Sequence, residues 1–332
     1  MSSSYSSPSS VWPIGVISTY VLTIVFLAIS GRTLFLTQSI LFPFFFTVAV
    51  LSRQFKIFLH DWVLYLAVLI LYESLRGFIF SIIHHFNFPI YVNYVLQWEK
   101  VLLNGYIAPY AAQYWLSQLK FSAHFYQFFS VFYGSHFAIF LLLGLIIWFN
   151  RRQYFYAYKF SFILMTSIGL LFFLLFPTVP PWMASQYTQA PPIIFYVAKV
   201  YTMTMPKLFH VFDMDPVAAM PSLHAAFSLL CSLIAFHLYR WKAWPVLIYT
   251  ILLNMSCIIL GAHYLVDLLA GFLLASIIFF YPYSFVCKKS QNQNLFPLSQ
   301  DRINMSLKIK ISFSILILIM SALLKMLSDT WM

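Results

Sequence analysis

The chain has 332 residues, 19 Lys and Arg against 8 Asp and Glu, a formal charge of +11 and only 8% charged residues; 62% are hydrophobic and 20% aromatic. So little charge cannot clothe a water-exposed surface of this size, which excludes a soluble globular enzyme, a disordered chain and a nucleic-acid binder. The solvent that suits this composition is lipid, and three cysteines, two of them inside apolar runs, make no disulfide framework.

A helix crossing a hydrocarbon core of about 30 Å needs about 20 mostly apolar residues. Read in chain order, nine stretches meet or approach that requirement: 12–30, 33–51, 61–83, 126–149, 159–178, 221–239, 243–260, 263–281 and 311–328. A Ser-rich leader without Lys or Arg precedes the first, so it reads as a retained helix, not a cleaved signal peptide. Two longer loops, 84–125 and 179–220, are aromatic and Pro-containing, which suits packing at headgroup depth. The expected architecture is an all-α, polytopic membrane helical bundle of about nine helices. It divides into N-terminal transmembrane helices (1–57), a catalytic membrane domain (58–285), and a basic loop with a last helix (286–332). No internal repeat is evident. Nine crossings put twelve basic residues on the side of the N-terminus and six on the other, with Arg76 inside a helix. The excess of basic residues on cytoplasmic loops then sets the N-terminus in the cytoplasm and both long loops outside.

Ionisable groups at membrane depth are costly, so each is a functional candidate. Glu73 and Arg76 lie three apart near the outer end of one helix, as a self-neutralising pair or as part of a site. His136 falls mid-helix, where a lone histidine is more often a hydrogen-bonded packing residue. Ser222 and His224, in Pro221-Ser222-Leu223-His224, open a helix whose N–H groups and dipole favour an anion. His263 and Asp267 stand four residues apart. On a shared helix face the carboxylate can bind one ring nitrogen, fix the tautomer and leave the other nitrogen as a lone pair.

Arg76, His224, His263 and Asp267 come from three helices yet fall near one outer surface. A polar cluster that merely holds helices in register is the plain alternative. The combination suits phosphoryl transfer, with His263 as nucleophile, His224 as proton donor, and Arg76, Ser222 and the helix N-terminus around the phosphate oxygens. Two histidines and an aspartate can also ligate zinc, but no further ligand cluster lies close by in sequence, so no metal or other cofactor is expected. A non-catalytic carrier or scaffold is the reading from another class; carriers are expected to show broken helices and repeats, and neither is visible in the sequence.

The strings Asp215-Pro216-Val217-Ala218-Ala219-Met220-Pro221-Ser222-Leu223-His224-Ala225-Ala226 and Gly261-Ala262-His263-Tyr264-Leu265-Val266-Asp267-Leu268-Leu269-Ala270-Gly271 resemble the second and third signature motifs of the type 2 phosphatidic acid phosphatase and haloperoxidase superfamily. With Phe176-Pro177-Thr178-Val179-Pro180-Pro181-Trp182 they are similar to the branch of the inositol phosphorylceramide synthases, over about Tyr72 to Ala275. The resemblance implies a six-helix catalytic core and a metal-independent two-step reaction. In it His263 would form a phosphohistidine, Asp267 would orient His263, and His224 would protonate the leaving alcohol. The substrate would be a lipid phosphoester, and the acceptor water or an alcohol such as inositol or a lipid hydroxyl. The expected setting is the cell membrane, with the site on the extracytoplasmic face. The superfamily's first motif, a lysine followed after six residues by Arg-Pro, is absent, and Cys257 stands where the third motif usually carries arginine. That departure also fits the synthase branch. The phosphate's cations must then come from elsewhere: Arg76 first, then Lys199 and Lys207, with Glu73 and His136 in support.

Overall fold

The computed structural model describes residues 55–120, 122–199 and 217–292. The expected helices 12–30, 33–51 and 311–328 and the candidate Lys207 lie outside these residues. Among the described residues the chain is helical, with no strand beyond one isolated bridge between Thr178 and Ala218. The chain divides into two compact units, one of residues 1–70 with 201–214, the other of 71–200 with 215–332.

Helix α1 (Phe55–His85) supplies the described part of the first unit through Ile70. There Phe58 stacks on Trp62 at 5.6 Å between ring centres, and His60 Nδ1 lies 3.1 Å from Asp61 Oδ1.

Among the described residues the second unit contains the rest of α1 and nine further α-helices. The 84–125 segment, expected to be irregular, folds instead into α2 (Val92–Leu102) and α3 (Ala108–Ser117) before α4 begins. Val92, Val95, Leu96 and Glu99 make the buried stripe of α2 at helical spacing, and Pro109 opens α3 in its first turn. The expected single helix over 126–149 is two: α4 (Ser122–Gly134) and α5 (His136–Asn150), bent by 45° at Ser135. Ser135 Oγ is bonded to Tyr249 OH at 2.9 Å, so the break is anchored by a hydroxyl pair. A broken helix is therefore present, which removes one sequence argument against a carrier. Helix α6 (Arg152–Leu175) follows.

Helix α7 (Leu223–Tyr239) is buried on almost every side, as its all-round apolar sequence requires. Phe140 of α5, Phe162 of α6 and Phe227 of α7 meet with ring centres 5.0–5.4 Å apart, which joins three helices in one core. At Arg240 (φ +53) the chain turns back into α8 (Trp244–Ile259). Ser232 Oγ and Thr250 Oγ1 share a bond of 2.8 Å, Thr250 donates to the Ser228 carbonyl, and Asn254 donates to Ser228 Oγ. Such bonds between apolar helices contribute about 0.6 kcal/mol on average and at most about 1.7 kcal/mol, and their antiparallel register makes α7 and α8 a hairpin. Helix α9 (Leu265–Ile278) passes through a π-turn (Phe279–Tyr283) into α10 (Ser284–Asn292). By length and apolarity, Arg152–Leu175 and Leu265–Lys288 could each cross a membrane, Leu223–Ile259, folded at Arg240 into the α7–α8 hairpin, is apolar enough to do so, and the bent α4–α5 pair makes a further span if taken as one.

Candidate active site

Three loop segments are stitched together before any reactive side chain is placed. Thr178 donates its N–H to the Val217 carbonyl (3.1 Å), accepts from Ala219 N–H (3.2 Å), and its Oγ1 accepts from Met220 N–H (3.0 Å). The Phe176–Trp182 string therefore holds the segment that leads to α7. The Met220–Pro221 peptide is cis. Ser222 then caps α7, its Oγ accepting from Ala225 N–H at 3.4 Å, while its own N–H donates to the Asp267 carbonyl at 3.0 Å. Its buried hydroxyl therefore has a capping role beside the phosphate contact expected of it.

The His263 loop is held from the other side. Cys257, at the end of α8, accepts on its carbonyl from Ala262 N–H (2.9 Å) and His263 N–H (3.1 Å). Gly261 has φ +77, and a Cβ there would meet Ile194 O at 2.7 Å and Gln113 Nε2 at 3.0 Å, so glycine serves both the conformation and the close approach. Gln113 donates to Ile194 O (2.7 Å) and Ile259 O (3.2 Å) and accepts from Ile194 N–H (3.0 Å), clamping the 190s segment to this turn.

His263 does not share a helix face with Asp267, contrary to expectation. It precedes α9, whose first residue is Leu265, and Asp267 sits in the first turn of that helix. Asp267 Oδ2 accepts from Tyr264 N–H at 2.9 Å, and His263 Nδ1 lies 3.5 Å from the same oxygen. That separation is an ion-pair distance, beyond an ordinary hydrogen bond. The carboxylate thus caps the helix first and attracts the imidazole second. A proton on His263 Nδ1, the nitrogen that faces this carboxylate, would leave Nε2 as the lone pair. His263 Nε2 faces His224 Nδ1 at 3.2 Å, and with this tautomer His224 Nδ1–H is the donor.

His224 is packed between rings. Tyr133 stacks on it at 4.6 Å, and His136 lies 4.1 Å away by ring centres. His136 Nδ1 donates to the Tyr133 carbonyl at 3.0 Å, across the Ser135 break. His136 is therefore the first residue of α5 and not mid-helix, and its ring is both hydrogen-bonded and packed against His224. Arg76, from the second unit's part of α1, stands close enough to act electrostatically on both His136 and His224. Its guanidinium carbon also lies 5.9 Å from the Tyr72 ring centre. Glu73 lies three residues earlier on α1, and its side chain is outside the described residues. Exposed Lys199 extends its Nζ over the Tyr196 ring at 5.6 Å. From Tyr133 an aromatic wall continues to Phe195 (6.3 Å) and Trp182 (5.5 Å).

Sequence reasoning missed Glu99. Fully buried, it accepts from Ala108 N–H (3.1 Å) and Leu265 N–H (3.3 Å) on Oε1 and from Val266 N–H (3.1 Å) on Oε2. Burial pushes its carboxyl up to about 7, the three donors pulling the other way. A signal was available: Glu99 is the fourth member of the Val92, Val95, Leu96 stripe, a carboxylate on an apolar helix face.

Among the described residues no group of three or more His, Cys, Asp and Glu side chains is arranged to hold a metal ion. The arrangement can supply a nucleophilic nitrogen, an adjacent imidazole acid, and a nearby guanidinium. None of the curated proteins and none of the solved structures matches the chain. The family model described as the PAP2 superfamily matches residues 94–281, a stretch that begins after Arg76 and contains Glu99 and both motif strings. More than half of the 332 residues are covered, and the chain belongs to the PAP2 superfamily.

Proposed function

We propose that the chain is an integral membrane enzyme that cleaves a lipid-linked phosphoester and passes the phosphoryl group to an alcohol acceptor. The 3.2 Å contact between His263 Nε2 and His224 Nδ1, with Asp267 behind His263, carries this reading. A phosphoryl group entering between the two rings would replace that contact. His263 Nε2 then attacks phosphorus, the bond from phosphorus to the leaving oxygen breaks, and His224 gives that oxygen a proton. In the second half the acceptor hydroxyl yields its proton to His224, its oxygen attacks the phosphohistidine, and His263 is released. Arg76 is the cation for the non-bridging oxygens, with Lys199 and Lys207 as further candidates and His136 supporting His224. The aromatic wall of Tyr133, Phe195 and Trp182 suits an apolar substrate.

The motif strings favour an inositolphosphotransferase-like activity, with inositol or a lipid hydroxyl as acceptor. The site is assigned to the extracytoplasmic face of a multi-pass cell-membrane protein with a cytoplasmic N-terminus, on the distribution of Lys and Arg among the loops. A second reading, a lipid phosphate phosphatase with water as acceptor, is favoured because the matching family model is that of the superfamily as a whole.

The deciding experiment is mass spectrometry of purified protein in lipid, incubated with labelled lipid phosphate with and without inositol. A labelled inositol or lipid ester supports the transferase, and free phosphate as sole product supports the phosphatase. Near wild-type turnover by His263→Ala would refute the nucleophile and with it both readings.

A further inference from the structure

We propose that Glu99 is a positioning residue for the His263–Asp267 pair: its carboxylate ties the start of α9 to α2 and α3 and so sets where the nucleophilic ring stands. The proposal rests on the function proposed above and adds to it a residue from outside both motif strings.

Glu99 lies 166 residues from Leu265, yet its two oxygens take N–H groups from the first two residues of α9. Asp267 takes the next donor back along the chain, Tyr264 N–H. Two carboxylates therefore divide the free amides of one helix start, and His263 is the residue just before them. The third donor, Ala108 N–H, opens α3, so one buried carboxylate joins two helix N-termini. On the α3 side, Gln113 clamps the 190s segment and the Ile259 carbonyl beside the His263 turn. Glu99 and Gln113 thus fix that turn from both of its ends.

A purely structural need would be met more cheaply. Apolar side chains fill the other three positions of the α2 stripe, and a Ser or Asp at residue 264 could cap α9 locally. A buried carboxylate disfavours its own charged form, and such groups concentrate where a site needs fixed geometry or charge. Asp267 and Tyr264 are the titratable groups that act electrostatically with Glu99 across the helix start.

The test uses full-length protein in lipid nanodiscs, with Glu99→Gln as the main variant and Glu99→Asp as the second. Gln keeps the shape and one acceptor oxygen but sets an amide donor against Val266 N–H; Asp keeps the charge and shortens the reach. Turnover is followed on short-chain phosphatidic acid, and amide exchange is followed over 261–270 by mass spectrometry. The expected result for Glu99→Gln is a fall in kcat of roughly tenfold to a hundredfold, since misplacement by about 1 Å costs about that much. KM should stay within about twofold, thermal stability at pH 8 should be no lower than wild type, and exchange at 265–266 should be faster. Glu99→Asp should recover part of kcat.

Unchanged kcat and exchange in folded Glu99→Gln would overturn the proposal. So would a loss of activity matched by an equal loss of folded protein in both variants. If wild type is itself inactive on phosphatidic acid, the substrate class proposed above fails. Exchange then judges Glu99 alone, and unaltered protection at 265–266 overturns its positioning role.

Discussion

Gly271 of α9 packs directly against the start of α7, and Gly271→Ala sets two physical effects of opposite sign against each other. Helix propensity alone favours alanine by about 1 kcal/mol, because glycine loses more backbone entropy on folding. The packing says the reverse. A Cβ at 271 would fall on the carbonyl oxygen of Ser222, well inside ordinary van der Waals contact, and would press Ala225 Cβ at 3.1 Å and Ala226 N at 3.2 Å. Two of these three atoms are backbone, so no side chain can swing aside. Restoring contact requires α9 to retreat from the Ser222 turn by about 1 Å. The bond from Ser222 N–H to the Asp267 carbonyl, one turn away and now 3.0 Å, would then stretch past hydrogen-bonding range. Overpacking costs about 1–3 kcal/mol and the lost bond about 1 kcal/mol, which outweighs the propensity gain. The net expectation is a destabilisation of about 1–3 kcal/mol. Because His224 follows Ser222 and His263 precedes α9, the same displacement opens the 3.2 Å contact between the rings and should cost roughly a hundredfold in kcat. Thermal unfolding in detergent and turnover on lipid phosphate measure both quantities. Gly169→Ala is the control: the three atoms nearest its Cβ would all belong to the Leu223 side chain, which can adjust where backbone cannot, so its effect should be smaller. A Gly271→Ala protein as stable and as active as wild type would show that the close approach does not constrain the site.

His263→Ala should abolish turnover and any acid-labile phosphoenzyme. His224→Ala should slow poor leaving groups far more than good ones, and an equal loss on both would remove the acid role. Arg76→Lys should weaken phosphate binding several-fold, because an ammonium cannot reproduce the guanidinium fork; unchanged KM would shift the role to Lys199 or Lys207. Glu99 binds its proton more tightly in the folded chain (about 7) than at its ordinary value of 4.5, so its contribution to stability falls as pH rises through that window. The shift corresponds to roughly 3 kcal/mol, and Glu99→Gln should flatten the dependence of Tm on pH between 4.5 and 7; an unaltered slope would deny that burial. Chelators should leave activity intact, and strong inhibition would revive a zinc site built on His224, His263 and Asp267.

Much of the candidate site was legible because polar residues are conspicuous in apolar sequence. His224, His263 and Asp267 stand in apolar sequence, and each carried a chemical reason to be noticed. What spacing could not supply was conformation. The i, i+4 rule assumes that both residues are helical, but Gly261 at positive φ ends the α8 turn late enough that α9 begins only after His263. The sequence leaves His136 between a packing and a supporting role, because 126–149 reads as one helix; the Ser135 hydroxyl at the observed break pairs with a residue 114 positions away.

By itself, then, the sequence determined the lipid-suited composition, the helical class and the residues able to do chemistry, because side-chain polarity and the length of apolar runs are local properties. Only the tertiary structure decided that His136 joins the two motif histidines, that Gly271 admits Ser222, and that Glu99 holds the start of α9. Those depend on backbone groups brought together from distant parts of the chain, and a backbone amide is the same in every sequence until the fold gives it a partner.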